Sequence, residues 1–172
     1  MSHVRNIALL STGGTIEKTY SESDGTISNQ RSVLEMMLAG LILHGVRITR
    51  ISLMNKDSLL MTAGDHVAIG DAAESALERH DGVVITHGTD RLQHSGEYLA
   101  QRFGDAPARP IILTGAMRPY ELRTTDALQN LTEALLAVQL VIPGVYVAMH
   151  NEVLRFPGVV KDTLRMRFVR QP

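Results

Sequence analysis

The sequence has no cysteine. That removes disulfides, thiolate zinc sites and a cysteine nucleophile together. It also has almost no net charge: Lys plus Arg number 17 and Asp plus Glu 18, a formal balance of -1. A surface so balanced carries no electrostatic footprint for nucleic acid or for a membrane. Long apolar runs are missing too. The first, Ile7 to Leu10, breaks at Ser11, too short for a signal segment and followed by no small-residue cleavage pattern. Nowhere does the chain approach the ~18–20 apolar residues of a membrane span. The phosphate-binding patterns G-x-x-x-x-G-K-S/T and G-x-G-x-x-G are absent. The 7 histidines are scattered, with no H-E-x-x-H and no paired spacing, which argues against a metal site. The expectation left standing is a cytoplasmic protein with no nucleic-acid, membrane or metal partner.

What is present is a core. Of the 172 residues, 44% are apolar, enough for one domain with a sizeable interior and too many for disorder. Short apolar runs alternate with longer helical patterns. Val4 to Leu10 reads as a buried strand bounded by turn residues. Ser11 to Gln30 is rich in Gly, Ser, Thr, Asp and Asn and reads as a loop; one that long in a compact domain tends to be functional. A helix over Ser32 to Leu43, stopped at Gly45, and a second strand over Val46 to Leu53 follow. Thr62-Ala63-Gly64-Asp65 is an N-cap signature, a Thr with an acid three residues on. The helix it opens runs to about His80, with Val67, Ile69, Ala72, Ala73, Ala76 and Leu77 available to pack.

Val83 to Thr86 is a short buried strand and Leu92 to Phe103 a helix. Pro110 to Thr114 is a strand that starts on its proline, where no ladder bond is lost. Thr125 to Leu140 is a helix with Leu128, Leu131, Leu135 and Val138 on one face. Gly144 to Met149 is a strand, and Val153 to Val160 suggests a hairpin around Pro157-Gly158. The basic run Arg165 to Arg170 alternates and reads as a strand or arm with one solvated face. Strand–helix alternation predicts an α/β fold: a parallel, Rossmann-like or flavodoxin-like three-layer sheet with helices on both faces and right-handed crossovers.

In such sheets ligands bind outside the carboxyl ends of the strands. The first strand delivers Ser11-Thr12-Gly13-Gly14-Thr15 and the second Asn55-Lys56-Asp57-Ser58. The third delivers His87-Gly88-Thr89-Asp90 and the fourth Gly115-Ala116-Met117-Arg118-Pro119. Glycine beside Thr12 lets a ligand approach the backbone, where N–H groups can stabilise an oxyanion. A threonine hydroxyl is a poor nucleophile without a group that takes its proton. Lys161, in the apolar context Val159-Val160, a tyrosine in the long loop and the Thr89-Asp90 pair are the candidates. Each feature alone has a plainer reading. A T-G-G-T loop is more often a tight turn, a T-D after a strand a helix N-cap, and a single lysine a solvated surface residue.

Taken together these segments resemble the L-asparaginase/glutaminase family that uses a threonine nucleophile. Ile7 to Ile16, with Ser11-Thr12-Gly13-Gly14-Thr15, resembles one family signature, and Asp81 to Asp90, ending His87-Gly88-Thr89-Asp90, resembles another. Ile112 to Pro119, Met54 to Ser58 and Val160-Lys161 follow the family in order. The resemblance implies an amidohydrolase that converts L-asparagine, with L-glutamine as a second candidate substrate, to the acid and ammonia through an acyl ester on Thr12. It implies catalytic roles for Thr12, Thr89, Asp90, Lys161 and a loop tyrosine, for which Tyr20 is the candidate. It implies substrate contacts from Gly13, Asp57, Ser58, Gly88 and Ala116, and no metal or organic cofactor.

The chain departs from the family in three places. Tyr20 is the only loop tyrosine; by spacing it serves, while an alignment through Gly25 puts Thr26 in its place. Leu59 stands where the family has Gln, Thr or Ser, so one substrate hydrogen bond is lost. The usual family chain is roughly twice as long, so residues 1–172 are either a fragment or, the favoured expectation, a naturally short asparaginase: a single N-terminal-type domain without the family's C-terminal domain. Such a chain needs a new interface, and the alternating tail from Thr163 to Pro172 is the expected contact of a homo-oligomer. Two other readings stand beside the hydrolase: an ammonia-producing subunit of an amidotransferase, and a module that senses an amino acid without turnover.

Overall fold

The first apolar run forms a longer strand than its apolar residues alone predict. In the computed structural model, which describes residues 4–104 and 107–171, β1 spans Arg5–Gly13, so Ser11, Thr12 and Gly13 belong to the strand. Ser11 pairs on both sides, with Ser52 and with Thr86, which carries the ladder past the last apolar side chain. The loop that follows holds two short strands, β2 (Thr19–Tyr20) and β3 (Ile27–Ser28), paired antiparallel. Helix α1 is only Leu34–Ala39 and ends at Gly40, not Gly45. Next come β4 (Val46–Lys56), α2 (Ala63–Leu77), β5 (Gly82–Thr86) and α3 (Leu92–Phe103). The chain continues through β6 (Ile111–Thr114), α4 (Ala127–Leu140), β7 (Val145–Met149), β8 (Glu152–Arg155), β9 (Val159–Asp162) and β10 (Arg167–Arg170).

The main sheet has the order β4-β1-β5-β6-β7-β8. The first five strands run parallel and only β8 is antiparallel. Renumbered along the chain, the parallel part reads 2-1-3-4-5, the flavodoxin-like order. The direction of winding reverses between β1 and β5, the place in such sheets where ligands bind. Side-chain alternation along the strands then builds two cores. On one face Ile7, Leu9, Val84 and Ile112 pack against Leu34 and Met37 of α1 and Leu131, Leu135 and Val138 of α4. On the other, Leu10, Val83, Ile85, Ile111 and Leu113 pack against Ile69 and Ala73 of α2 and Leu92 and Leu99 of α3. The expected three layers are present, with helices on both faces.

Local chemistry sets several boundaries. Thr62 caps α2 in a reciprocal capping box with Asp65, the pattern its sequence predicts. Val67 is not part of that helix's packed face; it is 43% exposed, while Gly70 is buried instead. No hairpin forms around Pro157-Gly158. Glu152–Arg155 folds back on β7 through His150 and Asn151, both at positive φ, and β9 pairs with β10. The tail is a strand, as its alternation predicts, but Phe168 is buried in the second core and not presented to solvent. Met1, Ser2, His3 and Pro172 lie outside the described residues.

Helix α3 reaches the sheet closely because Gly96 faces Phe156, which is 3% exposed. A Cβ at Gly96 runs into the Phe156 ring, and overpacking of this kind costs about 1–3 kcal/mol. Gly96→Ala is therefore expected to lower the urea midpoint with an unchanged slope; an unaltered midpoint contradicts this packing.

Candidate active site

The carboxyl ends of β1 and β5, at the reversal, are where the structure gathers buried polar groups. Thr12 sits at a break in the β1–β4 register between Ser11 and Gly13. Such irregularities re-aim a side chain out of the ladder. Thr12 is fully buried, and its Oγ1 donates to the Thr86 carbonyl at 2.8 Å. Gly13 and Gly14 have φ of 96° and 80°, in the region that favours glycine. A Cβ at Gly14 collides with the backbone of Gly88, so the two glycines let the β1 and β5 turns touch. The Gly14 N–H donates to the Lys56 carbonyl at 2.8 Å. The Gly13 N–H faces the carboxylate of Glu17. Both of these N–H groups are thus occupied and neither is free for an oxyanion.

A second set lies after β5. Lys161 Nζ donates to Thr89 Oγ1 at 2.8 Å and to Asp90 Oδ1 at 2.6 Å. The lysine side chain is 10% exposed and Asp90 47%, so the pair leads from the interior to the surface. Strand β9 brings Lys161 here because it is docked on α3. The Lys161 N–H donates to Gln93 Oε1 at 2.7 Å and the Gly158 N–H to Glu97 Oε1 at 2.6 Å. An ammonium can only donate. Thr89 Oγ1 is therefore the acceptor in its bond to Lys161, and its own proton remains available to another group.

The expected substrate-contact residues surround these two sets. Ser58 is 1% exposed, and its Oγ accepts from the Arg91 N–H at 3.3 Å. Gly88 packs directly on Ser58, leaving no room for a Cβ. Asp57 is occupied: Lys18 Nζ lies 2.7 Å from Oδ2 and the Leu59 N–H 3.0 Å from Oδ1. The Lys18 hydrogen bond chiefly holds the Asp57 carboxyl below the ordinary range. Ala116 is fully buried, and the turn after it is fixed by Asp126, which accepts from the Met117 and Arg118 N–H groups. Leu59 is 59% exposed. Beside this rim a cavity of about 330 Å³ is lined by Lys18, Asn29, Asn55 and Asp57.

The structure does not bring the loop tyrosine into a hydrogen bond with Thr12. Tyr20 lies on β2 and is 53% exposed, its N–H donating to Glu121 Oε2 at 2.6 Å. Thr26 is turned to Asp24, its hydroxyl 2.9 Å from Oδ1. Among the described residues neither one hydrogen-bonds to Thr12. No described group of three or more His, Cys, Asp or Glu is placed to hold a metal ion, and no described helix is long and apolar enough to cross a membrane.

Two buried groups escaped the sequence reading. Glu17 is 1% exposed and accepts from Thr86 Oγ1 at 3.2 Å. Its only trace in the sequence is an acid that follows the buried Ile16 directly, in the turn after β1. His87 is fully buried between the apolar strand and Gly88. Its Nδ1 lies 2.8 Å from the Gly88 carbonyl and its Nε2 2.8 Å from Ser95 Oγ, which in turn is 2.7 Å from His66 Nδ1. A carbonyl only accepts, so Nδ1 carries the proton and Nε2 accepts from Ser95. Burial pushes the His87 pKa down to about 4, against the opposing pull of the Gly88 carbonyl.

Known proteins share this arrangement of strands and segments. The family model described as the asparaginase N-terminal domain matches residues 6–165. An L-asparaginase of Thermococcus kodakarensis is 34% identical over 149 residues, covering 86% of this chain and 45% of that protein. A glutamyl-tRNA(Gln) amidotransferase component of Methanococcus vannielii is 31% identical over 153 residues, covering 88% of this chain and 35% of that one. The solved thermostable L-asparaginase from Thermococcus kodakarensis superposes with a TM-score of 0.84 at 33% identity, over 96% of this chain and 51% of that one. The chain thus spans less than half the length of these curated relatives.

The histidine chain has a thermodynamic signature. An imidazole kept neutral in the fold binds fewer protons there than in the unfolded chain, so stability rises with pH across the interval between the two pKa values. For His87 the contribution is complete above 6.5 and is lost as pH falls toward 4. His87→Asn keeps an N–H near Nδ1 but does not titrate. Urea unfolding is expected to show the gap between wild type and this variant narrowing as pH falls over that interval; a gap independent of pH removes His87 as its source.

Proposed function

The chain belongs to the asparaginase family, and from that premise we propose that it hydrolyses L-asparagine to L-aspartate and ammonia, with Thr12 as the nucleophile. The observation that carries the reading is two buried hydroxyls on one strand rim: Thr12 on β1, and Thr89 after β5 in the grip of Lys161. Thr12 Oγ1 attacks the carboxamide carbon and the amide oxygen becomes an oxyanion. Collapse expels the nitrogen, which takes a proton and leaves as ammonia, and a β-aspartyl ester remains on Thr12. Water attacks the ester, aspartate leaves, and Thr12 regains its proton. One water is consumed and one ammonia released, so no cofactor enters the balance.

The roles follow from the partners. The Thr86 carbonyl accepts a hydrogen bond from Thr12 but is no base. The proton therefore travels by relay: Lys161 passes one of its protons to the Asp90 carboxylate and becomes an amine that takes the Thr89 proton, and Thr89 takes the proton of Thr12. Thr89 has a hydroxyl proton for the oxyanion, a share made larger because the Gly13 and Gly14 amides are turned inward. Asp90 uses the carboxylate oxygen away from Lys161 for the substrate ammonium. Ser58 and Gly88 form the floor beneath the α-carboxylate, with the Asp57–Lys18 pair beside it, and Ala116 lines the amide pocket through its backbone. Tyr20 joins only after the loop that carries it moves, because its side chain stands in solvent. Glutamine is one methylene longer, a difference worth only ~1–3 kcal/mol in a fitted pocket.

The similarity to an amidotransferase component supports a second reading, an ammonia-producing chain that needs a partner. The hydrolase reading includes a cytoplasmic homo-oligomer. The apolar surface formed by Leu136, Leu140 and Val153, all exposed, supports an oligomer, as do Leu164 and Met166 of the tail, which are exposed although Phe168 is buried. Light scattering at micromolar concentration is expected to give more than one chain per particle; a strict monomer removes that part.

Ammonia release from asparagine by the purified chain is the decisive measurement. Thr12→Ala and Thr89→Val are each expected to lower kcat by at least about 10³-fold. Asparagine binding without ammonia sinks the hydrolase reading, and turnover seen only with a partner protein favours the amidotransferase reading.

A further inference from the structure

Among the described residues, Glu17 is the buried carboxyl next to the nucleophile that the proposed reaction does not use. It lies in the turn after Gly14, held by its own backbone: the Glu17 N–H donates to the Gly14 carbonyl at 3.1 Å. Its carboxylate accepts from Thr86 Oγ1 at 3.2 Å, and the same Thr86 offers its carbonyl to the Thr12 hydroxyl at 2.8 Å. The Ser32 side chain and the Gly13 N–H also face it. The carboxylate thus touches both neighbours of the reacting hydroxyl: the residue that aims it and the glycine next to it in the chain. A buried carboxylate is costly unless donors surround it, and here they do.

We infer that Glu17 is a positioning residue for the nucleophile: its carboxylate, through Thr86 and the Gly13 N–H, fixes the carbonyl that aims the Thr12 hydroxyl, and it does so only while ionised. The inference rests on the amidohydrolase reading of Thr12. Its chemistry is simple. An ionised carboxylate accepts from the Thr86 hydroxyl, the Ser32 hydroxyl and the Gly13 N–H together. A protonated one carries a donor of its own and must turn one of those hydroxyls round or lose it. Thr86 is the last residue of β5, so a side-chain bond turned or lost there acts on the residue whose carbonyl holds the Thr12 hydroxyl.

Titration makes the inference testable. Burial raises the Glu17 pKa above 4.5, while Ser32, Thr86, the Gly13 N–H and the Arg50 charge pull it back. Activity is expected to fall on the acid side as pH drops through this raised value. Removing the Thr86 hydroxyl removes one stabiliser of the ionised form, so Thr86→Val is expected to move the acid limb to higher pH. Glu17→Gln has the same size but no charge. Its kcat is expected to drop about tenfold or more with KM little changed, the mark of a lost transition-state arrangement, and its acid limb disappears.

Initial rates of ammonia release from asparagine are measured for wild type, Glu17→Gln and Thr86→Val across the acid range, with circular dichroism confirming the fold at each pH. A wild type without turnover defeats the hydrolase reading and this inference with it. An active wild type with a Glu17→Gln variant of equal kcat and an intact acid limb overturns the role of Glu17 alone. Where Glu17→Gln fails to fold, Thr86→Val decides: an upward shift of the limb supports the inference and an unmoved limb defeats it.

Discussion

The parallel pairing of β1 with β5 is the contact on which the site depends. It sets Ser11 opposite Thr86, and the register break at Thr12 then turns that hydroxyl onto the Thr86 carbonyl. The turns beyond these two strands can meet only because Gly14 and Gly88 lack side chains. The sheet reverses its winding at the same place. A reversal leaves no crossover helix over the gap, so polar residues can gather there without an apolar cover.

A rigid platform supports this contact. Strands β1, β5, β6 and β7 are buried almost throughout, with one set of side chains on α1 and α4 and the other on α2 and α3. Lys161 comes from outside the main sheet. Its strand is pinned to α3 by Gln93 and Glu97, which delivers an ammonium to Thr89 and Asp90. A lysine this buried is tolerable because it is paired; taking one partner away leaves a costly charge. The same reasoning covers Asp126, whose carboxyl burial pushes up and whose Met117, His150 and Arg118 hydrogen bonds pull down below its ordinary value. It clamps the turn after Ala116.

Strand ends were the legible part of the site. Thr12, Ser58, Thr89 and Ala116 each follow an apolar run, and a parallel sheet puts such positions on one rim whatever the details. Helix α2 was legible for a similar reason: a Thr–Asp cap opens it. The hairpin around Pro157-Gly158 was not. Val153 to Val160 alternates equally well whether it pairs with itself or with β7, and only the free edge of β7 decides the matter. Tyr20 was named by its spacing in a loop, but spacing does not say which way a loop side chain faces. Glu17 and His87 were invisible as site residues because their significance lies in burial, and an acid or a histidine in a polar segment gives no sign of it.

The sequence by itself determined the α/β class, the strand rim and the residue types on it, because side-chain period and turn chemistry act over a few residues. It also determined the family, since long ordered segments from Ile7 to Lys161 match in sequence. Tertiary structure alone decided which groups touch. Thr12 on Thr86, Lys161 on Thr89 and Glu17 on Thr86 join residues separated by 74, 72 and 69 positions in the chain. Hydrogen bonds over such separations depend on sheet order and loop path, and neither is written in any local stretch of the chain.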